Sequence, residues 1–366
     1  MCKLLQLLVA LALSCNAAAA TWPERPITII VPFAAGGGSD IVARIIAKYL
    51  TESLGKAVLV ENKPGAGGNI GIVATARSKP DGYTFMVVSS VLVVNPNLYK
   101  QPFDPFKDFA PVVDIGASPN VIVTRGDSQI KTVAELIALA KKSPELLNYS
   151  SPGSGTSPHL ATELFKFRAK INLTHIPYGG AGPSLQAVLG NATQLGAFSL
   201  GSAATHMSAG TMRALVHTGA GRMADFPAVP NMTEAGFPNS DSETFQVLVA
   251  PAGAPQDVID RVSKEVITIV KRADVRETLR QTGFTVIGGE PEVLRTRIAQ
   301  RLDSILQAPL SAPGTTELLL LRRDGDGIVR LHNVPRVNGA AAGSSPGPGE
   351  AGPPAVEAAQ IGRAHV

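Results

Sequence analysis

The segment ITIIVPFAAGGGSDIVARIIAKYL, residues 27–50, constrains the fold more than any other part of this chain. It begins as an apolar, β-branched run typical of a buried strand, passes through three consecutive glycines and continues as an amphipathic helix. The same order of strand, glycine-rich loop and helix returns in LNYSSPGSGTSPHLATELFKF and in THIPYGGAGPSLQAVLGN. Strands that alternate with helices predict parallel sheets with helices on both faces, in which ligands bind beyond the carboxyl ends of the strands. We therefore expect an α/β fold of two lobes with a ligand cleft between them.

The first glycine loop has the composition of an anion site made of backbone. Gly36, Gly37 and Gly38 permit a conformation that turns several N–H groups toward one point. Ser39 or Asp40 is expected to cap the helix that follows, whose N-terminus carries partial positive charge. A tight turn without a ligand explains the glycines equally well, and the absence of a following Lys-Ser/Thr excludes a nucleotide P-loop.

The second loop, SSPGSGTSPHL, offers hydroxyl and N–H groups. Ser154, Gly155, Thr156 and Ser157 precede or begin a helix, and His159 lies one turn inside it. The Gly-x-Ser-x-Gly spacing of a hydrolase elbow is missing. A histidine in this setting is more often a capping or ligand-bonding residue than a catalytic base.

The third loop, HIPYGGAGPS, places an aromatic residue beside open backbone. Tyr178 either stacks at the edge of a cleft or fills the core, and Gly179 and Gly180 follow it. A fourth loop, GAGGNIG, mimics a dinucleotide fingerprint, but no acidic residue is placed to bind a ribose, so a packing turn explains it better. Four such loops without a nucleophile–base pair favour binding over catalysis.

Composition excludes several classes of function. The net charge of +4 comes without a dense Lys/Arg patch, so nucleic acid is not expected as a partner. The six histidines show no metal-binding spacing, and neither a metal nor a cofactor is predicted. Residues 1–20 have an early cation, an apolar core and an Ala-rich exit, which predicts a secretory signal peptide containing both cysteines. Residues 301–366 lack lysine and aromatic residues, and we expect a low-complexity tail that is disordered or derived from a frameshift or sequencing adapter.

The motifs together resemble one family. ITIIVPFAAGGGSDIVARIIA, VENKPGAGGNIG, KPDGYTFMV, GSGTSPHLATELF, HIPYGGAGPSLQAVLGN and LVAPAGAPQDVIDRVSKEV occur in the order found in the substrate-binding proteins of the tripartite tricarboxylate transporter family, the Bug receptors. The resemblance covers residues 22–300. It implies a periplasmic-binding-protein-like fold of two α/β lobes, with two hinge crossings near residues 120–124 and 245–250.

The resemblance also implies a function and a site. Such receptors are periplasmic, bind a small carboxylate without transforming it and pass it to membrane transporter subunits. Relatives tend to have an acidic residue after the Phe at position 198, where this chain has Ser199. The ligand-binding residues implied by motif are Phe33, Ala34, Ala35, Gly36, Gly37, Gly38, Ser39, Asp40, Ser154, Gly155, Thr156, His159, Tyr178, Gly179 and Gly180.

The expected organisation is a signal peptide (1–20), lobe 1 in two parts (21–122 and 247–300), lobe 2 (123–246) and the tail. The carboxylate could be a di- or tricarboxylate, an aromatic acid or an acidic amino acid, and the receptor is expected to be monomeric. Two alternatives stay open at this point. One is a secreted hydrolase that uses Ser154 or Ser157 with His159; the other is a sensor that delivers its signal to a two-component kinase.

Overall fold

The computed structural model describes residues 22–98, 102–143 and 146–298, together with two later strands. One continuous sheet system is formed by β1 (Ile27–Val31), β2 (Val58–Asn62), β3 (Thr84–Ser89), β4 (Phe109–Arg125), β5 (Asn148–Ser151), β6 (Thr174–Pro177), β7 (Leu195–Ser199), β8 (Met212–His217), β9 (Glu243–Pro251) and β10 (Thr285–Gly289). The helices are α1 (Gly38–Leu54), α2 (Asn69–Ala76), α3 (Val91–Leu98), α4 (Val133–Lys142), α5 (Ser157–Ala169), α6 (Ala181–Leu189), α7 (Leu200–Ser208), α8 (Gln256–Lys271) and α9 (Ala273–Gln281). Residues 291–298 are also helical.

Lobe 1 contains the strand order β2-β1-β3-β9-β4, with β10 paired to β4. β1, β2 and β3 are parallel, as the strand–helix alternation predicts, whereas β9, β4 and β10 run antiparallel to their neighbours. Helices α1 and α8 contribute Ile46, Leu50, Val262 and Val266 to the core, each at most 2 % exposed. The apolar spacing of α1 therefore buries one side of that helix.

Lobe 2 repeats this plan with the order β6-β5-β7-β4 and with β8 also paired to β4. β5, β6 and β7 are parallel, and β4 is antiparallel to β7 and β8. Alternate residues of β4 belong to two separate apolar clusters: Ile122 to one, Val121 and Val123 to the other. Because successive side chains of a strand point to opposite faces, both faces of this sheet are covered.

The chain crosses between the lobes twice, on β4 and on the way into β9. The first part of β4, through Pro119, pairs with β9 in lobe 1, and the part from Asn120 pairs with β7 and β8 in lobe 2. β9 begins at Glu243 and already belongs to the lobe 1 sheet. The crossings therefore lie at residues 119–120 and before 243, a few residues ahead of the expected boundaries at 123 and 247.

Asn120 ties the crossings together. Its Nδ2 donates to Ser157 Oγ at 3.0 Å and to Ser242 Oγ at 3.2 Å, and its Oδ1 accepts from Thr244 Oγ1 at 2.7 Å. The side chain is 2 % exposed. One amide thus joins both crossing segments to the first residue of α5.

Two helix ends are set by local sequence signals. Thr132 caps α4 by accepting from Glu135 N, and the Glu135 carboxylate accepts in return from Thr132 N. This reciprocal pair is the capping box typical of a Ser/Thr-x-x-Glu sequence. Gly55 ends α1 in the left-handed conformation, which glycine adopts without steric cost.

The two later strands, β11 (Glu317–Arg323) and β12 (Val329–Pro335), pair antiparallel with each other. They lie within segment 301–366, the expected tail. The rest of that segment, and the expected signal peptide at residues 1–20, lie outside the described residues. Among the described residues, no helix is long and apolar enough to cross a membrane.

Candidate functional site

A cavity lined by hydroxyl, amide, apolar and backbone groups lies between the lobes, where the glycine loops meet. The cavity has a volume of about 40 Å³, and one water needs roughly 10–15 Å³. The enclosed space is therefore that of a few waters or one small organic ion. The lining residues come from both lobes and from β9: Phe33, Gly37, Gly38, Ser39, Ser89, Pro152, Thr156, Ser157, Pro158, Ala181, Ser199, Ser202, Thr244 and Gln246.

Four helices begin at this cavity. α1, α5 and α6 place their first residues, Gly38, Ser157 and Ala181, in its wall, and α7 follows directly on Ser199. In this part of the described chain, none of the four N-cap residues caps its helix with its own side chain, although Ser202 Oγ accepts from Gly38 N of α1 and Ser118 Oγ accepts from Gly201 N of α7. The first N–H groups of a helix have no intrahelical partner and carry partial positive charge, so their convergence favours an anion.

The first glycine loop supplies part of the wall. Phe33, Gly37, Gly38 and Ser39 line the cavity, and Ser39 Oγ donates to Gln246 Oε1 at 2.8 Å. Its neighbours do not reach the cavity. Ala35 and Gly36 are exposed, and Ala34 N donates to Gly179 O at 3.1 Å across the cleft.

Neither residue expected to cap α1 does so. Gly37 is the N-cap, and no side chain caps it among the described residues. The Asp40 carboxylate accepts instead from Gly36 N at 3.0 Å, Arg44 Nε at 3.0 Å and Asn62 Nδ2 at 2.9 Å. Burial alone would raise the pKa of Asp40, but these hydrogen bonds and the Arg44 charge outweigh it and lower that pKa. Asp40 therefore fixes the loop from behind the wall.

In the second loop, Thr156 and Ser157 line the cavity, while the other predicted residues support them. Thr156 Oγ1 donates to Gly153 O at 2.7 Å. Gly155 N donates to His159 Nδ1 at 3.1 Å, which requires that nitrogen to be unprotonated. Ser154 does not line the cavity, and its carbonyl faces Gly67 of lobe 1 so closely that a Cβ on that glycine would lie 2.6 Å from it.

His159 belongs to a column of stacked rings behind this loop. Its ring lies 4.1 Å from that of His175, which in turn lies 4.8 Å from that of Tyr149. His175 Nε2 is 2.7 Å from Ser151 Oγ, and this hydroxyl bonds Gly153. Burial, followed by the nearby Lys166 charge, lowers the pKa of His159 to about 3. Burial and the neighbouring histidine lower the pKa of His175 to about 3 as well. Both rings are therefore neutral near pH 7 and hold the loop in place.

The third loop contributes through its helix rather than its aromatic residue. Ala181 lines the cavity. Tyr178 does not line it, and its backbone N–H donates to Ser151 O. Gly179 accepts from Ala34 across the cleft, and Gly180 approaches Ala34 so closely that a Cβ would lie 2.7 Å from Ala34 N.

The lobes are in direct contact around the cavity. Besides the hydrogen bond between Ala34 and Gly179, Gly38 N donates to Ser202 Oγ at 3.0 Å. A Cβ on Gly182 of lobe 2 would lie 2.4 Å from Ala35 O of lobe 1. The structure is therefore that of a closed cleft.

Nine lining residues are absent from the predicted ligand-binding set. Pro152, Ser157, Pro158 and Ala181 belong to the glycine-loop segments, and the other five lie outside them: Ser89, Ser199, Ser202, Thr244 and Gln246. Ser199 and Ser202 stand at a further junction of strand and helix, between β7 and α7, and this junction was the signal that could have revealed them. Ser89 ends β3, and Thr244 and Gln246 lie on β9, where no local pattern marks them.

The hydrolase alternative lacks its geometry. Ser157 Oγ donates to Glu243 O at 3.3 Å and accepts from Asn120, while His159 accepts from Gly155 N. Among the hydrogen bonds of the described residues, neither Ser154 nor Ser157 pairs with His159. The expected nucleophile and base therefore do not meet.

Comparison with known proteins agrees with this architecture. The profile of the family described as "Tripartite tricarboxylate transporter family receptor" matches residues 42–307, most of the chain. The chain belongs to this family. Protein BugT of Bordetella pertussis is 34 % identical over 285 residues, which cover 77 % of this chain and 87 % of BugT. Family members are substrate-binding receptors and not enzymes, and this chain is likewise a receptor.

Two solved structures show the same fold with carboxylates bound. Rpa4515 of R. palustris, with adipate, superposes with a TM-score of 0.74 at 30 % identity and covers 77 % of this chain and 95 % of its own. MatC from Rhodopseudomonas palustris, with bound malate, gives a TM-score of 0.72 at 28 % identity and covers 77 % of this chain and 98 % of its own. The two-lobed periplasmic-binding-protein-like fold is thus that of the receptor's relatives.

Proposed function

We propose that this receptor binds a small carboxylate in the periplasm and delivers it to the membrane subunits of a tripartite tricarboxylate transporter. The observation that carries the proposal is the convergence of four helix N-termini on one cavity between the lobes, where, among the described residues, no N-cap side chain covers them. The N–H groups at helix N-termini and the aligned helix dipoles give affinity for an anion without a cationic side chain. The carboxylates bound by two relatives support this ligand class.

The predicted ligand residues divide into two groups on this proposal. Phe33, Gly37, Gly38, Ser39 and Thr156 contact the ligand, because they line the cavity. The remaining predicted residues hold the loops or close the lobes, and the newly found polar side chains of β3, β9 and lobe 2 complete the contact set.

Thermal denaturation of the purified chain with a panel of mono-, di- and tricarboxylates tests the proposal. A ligand at about a hundred times its dissociation constant adds about 2.7 kcal/mol to the free energy of unfolding. Ser202→Leu fills the cavity and should abolish this stabilisation. Ser208→Leu, on the exposed end of the same helix, is the matched control and should retain it.

Two outcomes would contradict the proposal. One is a chain that no carboxylate stabilises, even after denaturation and refolding have removed any ligand carried through purification. The other is stabilisation that Ser202→Leu leaves intact. The periplasmic location has its own test: osmotic shock should release a mature chain whose N-terminal sequence begins at residue 21.

A further inference from the structure

We infer that Asn120 is a positioning residue that couples occupation of the cavity to closure of the two lobes. The inference rests on the proposed function and concerns the regulation of the same site. Asn120 lies at the first crossing, where β4 passes from lobe 1 to lobe 2, and its side chain is 2 % exposed. Its amide contacts three hydroxyl groups, and two of these belong to residues that line the cavity.

The two cavity hydroxyls lie in different lobes. Ser157 is the first residue of α5 in lobe 2, and Thr244 belongs to β9 in the sheet of lobe 1. Asn120 Nδ2 donates to Ser157 Oγ at 3.0 Å, and Thr244 Oγ1 donates to Asn120 Oδ1 at 2.7 Å. Ser157 Oγ also donates to Glu243 O at 3.3 Å, across the same boundary. One buried amide therefore bridges the lobes directly beside the cavity.

This bridge belongs to the closed arrangement. Ser157 and Thr244 line the cavity from opposite lobes, so opening of the cleft increases the distance between them. The amide of Asn120 is planar and of fixed size, and its other N–H is already donated to Ser242 Oγ at 3.2 Å. In an open receptor, at least one of the two cavity hydroxyls therefore loses its bond to Asn120. Each lost bond changes an equilibrium constant by about five- to tenfold, so the amide favours closure.

A ligand in the cavity and the amide of Asn120 stabilise the same arrangement. A ligand that bonds Ser157 or Thr244 holds that hydroxyl where Asn120 can reach it. The intact bridge, in turn, holds both hydroxyls where a ligand meets them. Because such coupling is reciprocal, loss of the bridge must weaken ligand binding by the same factor by which the ligand strengthens closure.

Amide hydrogen exchange of the full chain tests the inference, because two backbone N–H groups report directly on closure. Ala34 N donates to Gly179 O and Gly38 N donates to Ser202 Oγ, and both bonds cross the cleft. Asn120→Leu keeps the branching of the side chain but removes its hydrogen bonds. We expect exchange at Ala34 and Gly38 to become about tenfold faster, both without ligand and with a saturating carboxylate. Exchange within β1 and β5 should remain as in the wild type.

Two variants at Thr244 supply a second test that leaves Asn120 in place. Valine keeps the β-branched shape that suits a strand but removes the donor to Asn120 Oδ1, whereas serine retains a hydroxyl donor. Exchange at Ala34 and Gly38 should therefore be about fivefold faster in Thr244→Val than in Thr244→Ser. Ser242→Ala removes only the bond between the two crossings and is the control, in which exchange at both positions should stay as in the wild type.

Several outcomes would overturn the inference. One is unchanged exchange at the two reporter amides in Asn120→Leu; another is equal exchange in the two Thr244 variants, which also decide the matter should Asn120→Leu not fold. A third is a matching increase within β1 and β5 in Thr244→Val, since the hydroxyl would then stabilise the fold rather than closure. A receptor that no carboxylate stabilises would contradict the proposed function, while the comparison without ligand would still decide the role of Asn120.

Discussion

A single methyl group at Gly182 should separate ligand binding from folding. Gly182 is the second residue of α6, where alanine is a better helix former than glycine. Its Cβ would lie 2.4 Å from Ala35 O in the opposite lobe, well inside an ordinary van der Waals distance of 3.4–4 Å. In Gly182→Ala, lobe 2 itself should be unaffected or stabilised by about 0.5 kcal/mol. Closure of the cleft between the lobes should be obstructed.

The geometry sets the size of the effect. The lobes must separate by about 1 Å to relieve this contact, which stretches the neighbouring Ala34–Gly179 hydrogen bond from 3.1 Å to beyond the usual limit. Loss of that bond costs about 1 kcal/mol, and looser enclosure of the ligand adds to it. We expect a five- to thirtyfold weaker carboxylate affinity, which corresponds to about 1–2 kcal/mol.

Calorimetric titration and ligand-free thermal denaturation measure the two quantities on the same protein. Gly221→Ala is the matched control, because a Cβ there meets no atom within 4 Å, and it should bind like the wild type. Wild-type affinity in Gly182→Ala would refute the reasoning, since the ligand would then not need the lobes to touch at this point. A lower ligand-free stability would refute it in another way, by showing that the methyl group damages α6 itself.

Three further predictions concern buried polar groups. His159→Asn keeps an acceptor near Gly155 N and should retain carboxylate affinity, whereas His159→Leu should weaken it about tenfold in titration calorimetry; equal affinities would show that this bond does not position the loop. Since His159 and His175 have pKa values of about 3 when folded and near 6.5 when unfolded, the free energy of unfolding should fall as the pH decreases from 6.5 to 3. Thermal denaturation across that pH window measures how steeply the free energy of unfolding depends on pH. The double variant His159→Asn/His175→Asn should show a weaker dependence. Arg297→Ala leaves Asp114 buried without its ion-pair partner and should cost about 3–5 kcal/mol in urea denaturation; the double variant Asp114→Asn/Arg297→Met should recover part of this loss.

The architecture and part of the site follow from local pattern. The glycine loops lie where strands end and helices begin, and parallel strands bring such junctions to one edge of a sheet. The junction pattern and the family resemblance together predict Gly37, Gly38 and Thr156 at one cleft, and all three line the cavity. Thr132 and Gly55 were equally predictable, because a capping box and a C-terminal glycine are local signals.

The rest of the site depends on contacts between segments distant in the sequence. In the sequence, Gln246 is a single polar residue within an apolar strand. Only the pairing of β9 with β3 brings it to the cavity. His159 lies one turn into its helix, as the pattern indicates, but its role depends on a ring stacked against it from β6. Ala35 and Gly36 lie between cavity-lining residues in the sequence, but the turn exposes both of them to solvent. Sequence periodicity carries no information on any of these three arrangements.

The position of β9 also determines the order in which the receptor can be completed during synthesis. β9 pairs with β3 on one side and with β4 on the other, although the whole of lobe 2 separates it from β4 in the chain. Until β9 is available, two apolar strands of lobe 1 present unpaired edges, which are templates for aggregation. Lobe 2 is continuous and can fold without waiting. We therefore expect lobe 1 to fold last, with a rate limited by a contact of large sequence separation. Chains that end before residue 243 should be recognised by chaperones or proteases rather than accumulate as half-receptors.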